Sequence, residues 1–174
     1  MDAALLFVRL VVGLAMAAHG AQKLFGWFGG YGLAGTGGFF ASLGFRPGPF
    51  FAAAAGFGEL VGGLLIALGL GGPIGPMLVI ATMLVAILAV HLPNGFFASN
   101  NGYELPLVYL AWAFGLAFTG FGAFSLDSAL GLGAVWTPAI AWIAVGLGII
   151  GSLANVALRR KPAPATEAAA EVLP

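Results

Sequence analysis

Charged side chains are missing from three long stretches of the chain, residues 60–103, 105–126 and 128–158. Each holds at least one helix of about 20 residues, the length that crosses about 30 Å of hydrocarbon. The first stretch is long enough for two passes, and Gly71-Gly72-Pro73 divides it, because Gly readily ends a helix and Pro suits a first turn. The apolar residues run continuously and do not alternate, which argues against a membrane β-barrel. The pattern predicts helices near 4–25, 50–70, 73–92, 104–122 and 135–158.

Composition turns this pattern into a class. Hydrophobic residues make up 61% of the 174 and charged residues only 7%, far below the roughly one quarter of a soluble domain. The expected architecture is an all-α integral membrane protein: a four-helix transmembrane bundle within 1–130 and an additional transmembrane helix at 131–158. Residues 26–48 hold too many glycines to span, and form an interfacial loop anchored by Trp27, Phe28 and Tyr31. Within it, Thr36 to Leu43 is suited to a short turn of helix that carries Phe39 and Phe40 to the interface. The tail at 159–174 is Ala, Pro and charge, and reads as a disordered cytoplasmic segment.

Ala15-Met16-Ala17 resembles a signal-peptide cleavage site, but Asp2 opens the chain and Arg9 interrupts the apolar core, so the first segment is read as a retained helix. With five crossings, Lys23, Arg46, Arg159, Arg160 and Lys161 fall on one side, and Asp2 and Asp127 on the other. The positive-inside rule then puts the amino terminus outside and the carboxyl terminus in the cytoplasm, in an inner membrane. There is no cysteine, which removes disulfides, thiolate nucleophiles and Fe–S ligation. Redox chemistry, if any, belongs to a bound cofactor or a partner.

Arg9 and Glu59 are the charges deep inside predicted helices, away from their ends. A charge near the bilayer centre costs on the order of 2.5–3.5 kcal/mol on insertion scales, so such residues face protein and mark a polar interior. Glu59 shares its helix face with Ala52, Ala55, Gly56, Gly62, Gly63 and Ile66, and Arg9 shares its face with Gly13, Met16, Gly20 and Lys23. Both faces are small enough for close packing. Counted from the cytoplasmic ends, Arg9 lies ~21 Å deep and Glu59 ~14 Å, which predicts an Arg9–Glu59 pair acting as a folding staple or as the floor of a pocket.

A second group gathers at the cytoplasmic ends. His19, Gln22 and Lys23 close the first helix; His91, Pro93 and Asn94 close the third; Asn100, Asn101, Tyr103 and Glu104 open the fourth. His19 and Lys23 are one helical turn apart, and His91 arrives at a similar depth, so the cluster is suited to holding a quinone head group or passing protons. No H-x-x-x-H or C-x-x-C spacing marks a metal site, so none is assigned. Glu104 complements a helix dipole in its simplest role, and Asp127, in a Ser-x-Asp turn, is read as a structural cap.

Taken together, Arg9, His19-Gly20-x-x-Lys23-Leu24-Phe25-Gly26, Gly58-Glu59-x-x-Gly62-Gly63, His91-x-x-Asn94-Gly95-Phe96-Phe97, Gly102-Tyr103-Glu104 and Ser125-Leu126-Asp127 resemble the DoxX family of small bacterial and archaeal membrane proteins, over residues 5–130. The resemblance implies a four-helix transmembrane bundle and marks Arg9, His19, Lys23, Glu59, His91, Glu104 and Asp127 as family positions. The family takes its name from a subunit associated with thiosulfate:quinone oxidoreductase, and other members are linked to membrane oxidoreductase assemblies and oxidative-stress resistance. The implied function is a redox-associated subunit that binds a quinone or small hydrophobic ligand between helices, with Arg9, His19, Gln22, Lys23, Glu59, His91, Asn94 and Glu104 as ligand contacts or proton relays. Its expected partners are the lipid bilayer and a soluble oxidoreductase or another membrane subunit, with no nucleic acid. The alternative from another class is a non-catalytic scaffold that docks a soluble oxidoreductase. A small-solute transporter has less support, because no inverted repeat is visible.

Overall fold

The computed structural model describes residues 1–160 and is all-helical over them. Helix α1 covers Asp2–Phe25, α2 Gly32–Ser42, α3 Gly48–Leu68 and α4 Ile74–Ala86; then come α5 Glu104–Thr119, a single turn α6 Leu126–Ala129, and α7 Pro138–Ala157. A π turn over Ile87–His91 and a 3₁₀ turn over Leu92–Asn94 prolong α4, so that its helical course reaches Asn94. The start and stop signals are local. Gly26 and Gly69 end α1 and α3 in the left-handed conformation, at φ 74° and 64°. Thr137 caps α7 ahead of Pro138, its hydroxyl accepting the N–H of Ile140.

Four helical segments are long and apolar enough to cross a membrane: Asp2–Phe25, Gly48–Leu68, Ile74–Asn94 and Pro138–Ala157. The expected crossing at 104–122 is the one that falls short. Its helix stops at Thr119 after 16 residues, because Gly120 leaves helical geometry at φ 69° and the chain turns into an irregular segment. The region between α1 and α3 also differs from a loop with one short turn, because Gly32–Ser42 forms three turns of helix.

Helices α1 and α3 pack antiparallel with their backbones in contact. A Cβ on Gly13 would lie 2.6 Å from the carbonyl oxygen of Gly63, and one on Gly20 would lie 2.5 Å from that of Gly56, both closer than real Cβ contacts allow. Membrane helices approach this closely through small residues, since lipid tails offer no hydrophobic drive to separate them from protein. On the other side of α3, Gly62 sits against Leu78 and Val79 of α4, and Gly148 of α7 sits against Met77. The buried core between these helices is Met16, Ile66, Val79, Ile80, Met83, Leu116, Phe121 and Val145. Large apolar residues such as Phe7, Leu14, Phe57, Trp142, Ile143 and Ile150 point outward, as a lipid-facing surface requires.

The two ends of the bundle carry different chemistry. At one end the Asp2 carboxylate accepts the N–H of Ala123, and Asp127 accepts those of Gly71 and Gly72. At the other, Arg159 donates to the carbonyl of Leu43 and lies over the Phe45 ring, while the N–H of Arg160 donates to Gly44. The first two residues of the expected tail are therefore tied to the α2–α3 turn. The rest of that tail, 161–174, lies outside the described residues.

Candidate functional site

Lys23 and Glu59 form the only ion pair among the described residues, with Nζ 2.5 Å from Oε2. Glu59 is 3% exposed, and its neighbours along the helix face are Gly56, Gly62 and Gly63, which leave room for α1 and α4 to close over it. Lys23 stands in the last turn of α1, where a cation also opposes the negative end of the helix dipole.

This pairing corrects the expected one between Arg9 and Glu59. Because Gly20 faces Gly56 and Leu60, and Gly13 faces Gly63 and Ala67, every step along α1 is matched by a step back along α3. Glu59 is thus level with the region of His19 and Gly20, about ten residues or roughly 15 Å of helix from Arg9. No side chain spans that distance. Arg9 instead lies against Gly69, where the end of α3 meets the 120–125 segment. Its Nη2 donates to the Phe124 carbonyl at 2.6 Å, and the guanidinium sits 5.7 Å from the centre of the Phe121 ring. Its Nε and Nη1 have no partner among the described residues, and the residue is 1% exposed. Arg9 belongs to the opposite end of the bundle from the ion pair.

The ion pair borders a half-open cavity of about 420 Å³ lined by α2, α3, α4 and α7 and by the chain near Asn101. That size falls within the range of small-molecule sites. Its depth is set by helix register: Glu59, Thr82 and Ser152 lie toward the middle, and Phe51, His91, Asn101 and Asn155 toward one end. Phe39, Phe40, Phe45 and Phe51 supply an aromatic wall, with adjacent rings 5.2–6.3 Å apart. The π turn that widens α4 covers Ile87–His91, and Ala89, Val90 and His91 on it line the cavity. Such turns often occur at functional sites, because they break the regular helix face and re-aim a side chain.

The remaining predicted contacts divide. His91 lines the cavity, and its Nδ1 is 2.7 Å from the carbonyl of Asn101, whose left-handed backbone (φ 59°) is one Asn tolerates. His19 lies outside it, exposed, with Nδ1 3.2 Å from Oε1 of Gln22 and its ring edge-on to Tyr109. Gln22 in turn donates to the carbonyl of Phe28 and pins the interfacial turn. Asn94 donates to the carbonyls of Val90 and Asn101, and Glu104 accepts the N–H of Ala98, so both brace the 95–104 loop. Asp127 accepts two amides of the α3–α4 turn, while Ser125 caps α6 itself. Among the described residues no three His, Asp or Glu side chains gather as a metal site.

Sequence reading missed Thr82, Ser152 and Asn155. Thr82 and Ser152 bond to carbonyls of their own helices, and Asn155 donates to Gly151, so as isolated residues they read as helix polar groups. The one signal was that Ser152 and Asn155 are nearly the only polar side chains in the last apolar segment, three residues apart and so on one face.

A bundle with four membrane-length apolar helices, polar groups turned inward and apolar side chains turned outward is a multi-pass membrane protein. The DoxX family model matches residues 4–92, just over half of the chain, and the protein belongs to the DoxX family. No curated protein and no solved structure matches it. The match takes in Lys23, Glu59 and His91 and ends before α5 and α7.

Proposed function

We propose that this protein is a redox-associated subunit of the inner membrane that binds a quinone, or a small hydrophobic ligand of similar shape, in the cavity above the Lys23–Glu59 pair. The observation that carries the reading is an ion pair with a buried carboxylate at the base of an aromatic-walled cavity of about 420 Å³ in a membrane helix bundle. A pair that only joined two helices would need no such space beside it. Lys23 keeps two N–H donors after bonding to Glu59, and an ammonium donor suits a quinone carbonyl. The phenylalanine rings suit the flat face of the head group. His91 at the rim is a candidate proton carrier.

In this reading the chain crosses the membrane five times. Helix α5 rises about 24 Å, and the irregular 120–125 segment completes its course from the His91 end to the Arg9 end. The amino terminus lies outside, because Lys23, Arg46, Arg159 and Arg160 share the other end. A soluble oxidoreductase or another membrane subunit supplies the other half of any electron transfer, since the chain has no cysteine to hold a cluster.

The test is equilibrium binding of a short-chain benzoquinone to the purified protein in detergent. Saturable binding is expected, and Glu59→Gln, which releases the Lys23 ammonium from its anchor beside the cavity, should weaken it about tenfold, equivalent to about 1.4 kcal/mol. Absence of saturable binding, with a soluble protein co-purifying in stoichiometric amount, would replace this reading with that of a docking scaffold.

A further inference from the structure

The cavity presents an unbalanced set of hydrogen-bonding groups, and the imbalance specifies the ligand. The Thr82 hydroxyl donates its proton to the carbonyls of Leu78 and Val79, and that of Ser152 to Ile149. A hydroxyl has one proton, so the Thr82 oxygen is left as an acceptor toward the cavity, while Ser152, 1% exposed, is closed off behind the wall. Asn155 donates from Nδ2 to the carbonyl of Gly151. A carbonyl can only accept, which fixes the orientation of the amide and frees Oδ1. The same logic applies to His91: Nδ1 faces the Asn101 carbonyl and carries the proton, so the neutral ring offers a lone pair at Nε2. Glu59 adds Oε1 beside the oxygen held by Lys23. Against these acceptors, the donors are the two remaining N–H groups of Lys23 and the second N–H of Asn155.

We propose that the site is built for the reduced form of its ligand, a hydroquinone or other hydroxylated ring, and that α7 sets this preference through Asn155. The inference rests on the reading of the cavity as a quinone-class site and adds which redox form it holds. A quinone has two carbonyl oxygens and no donor, so it leaves buried acceptors of the lining without a partner. A hydroquinone brings two O–H donors, and each can meet one of them. A site that hydrogen-bonds a hydroxyl discriminates strongly against an analogue lacking it, because its own polar groups are then left unpaired. Asn155 matters because it lies outside the matched span 4–92, yet it lines the same cavity as Lys23, Glu59 and His91. The family segment thus supplies the ion pair, and the last helix adds an acceptor from the opposite wall.

The experiment compares a short-chain benzoquinone with its quinol, kept reduced under anaerobic conditions, on the wild-type protein in detergent. Quinol binding at least about fivefold tighter than quinone binding is expected, the equivalent of one ordinary hydrogen bond. Thr82→Val and Asn155→Ala should each narrow that ratio, chiefly by weakening the quinol; retained thermal stability in detergent shows that a variant has folded. Equal affinity for the two forms, or a preference for quinone, would overturn the inference and leave the quinone-class reading standing. No binding of either form would overturn both. The wild-type comparison alone decides the matter if a variant fails to fold.

Discussion

The pair Lys23–Glu59 couples helix register to chemistry. Glu59 is almost fully covered, whereas about a quarter of the Lys23 side chain is open, so the two residues tolerate loss differently. Lys23→Met leaves a carboxylate in a closed apolar setting, and should destabilise the protein by about 2 kcal/mol or more. The double variant Lys23→Met with Glu59→Leu should recover most of that loss, because it removes the stranded charge; thermal unfolding in detergent measures both. Arg9 is expected to behave in the opposite manner. Arg9→Met removes the bond to Phe124 and the contact with Phe121, so it should lower the unfolding temperature, yet leave ligand affinity within about twofold. A tenfold loss of affinity on that change would mean that the two ends of the bundle act as one site. That Arg9 and Glu59 are buried followed directly from their place in apolar segments. Their separation did not follow from counting depth from helix ends, which ignores where two helices cross.

Register is decided between elements, and here it is written in glycine. Gly13 and Gly20 on α1 are seven residues apart, as are Gly56 and Gly63 on α3, and the pairs meet antiparallel. That spacing was readable in the chain, but Gly62 and Gly69 share it, so the register was not. Gly20→Leu forces a side chain into the α3 backbone and should cost at least about 3 kcal/mol, appearing as loss of the monodisperse folded peak on size exclusion. The turn between α3 and α4 is held from a distance by Asp127, which accepts two backbone N–H groups. Asp127→Ala should cost about 2–3 kcal/mol in thermal unfolding without moving ligand affinity. Helix boundaries near apolar cores were legible within a few residues, as was a short helix at 36–43; the early end of α5 and the first turn of α2 were not. In α2 the burial of Thr36 and Gly37 against neighbouring helices overrides the poor helix propensity of four glycines.

At the scale of the whole molecule, the sequence disclosed a membrane bundle, two buried charges and the family. The cavity was hidden because it arises from parts far apart in the chain: α2 supplies its rings, the α4 π turn brings His91, and α7 closes it with Ser152 and Asn155. Orientation can be tested on a chain that has no cysteine of its own. Single cysteines at the exposed positions Ser42 and Gly131 should react differently with a membrane-impermeant maleimide in intact cells, Gly131→Cys labelling and Ser42→Cys labelling only after lysis. The reverse pattern would invert the topology. The most direct test of the central claim, that ligand is held over the Lys23–Glu59 pair, is photolabelling with an azido-benzoquinone, mapped by peptide mass spectrometry. The account predicts labels on residues 39–59 and 82–91, displaced by excess unlabelled quinone. Labels confined to outward-facing residues such as Phe7, Leu14 or Trp142, and undiminished by competitor, would contradict it.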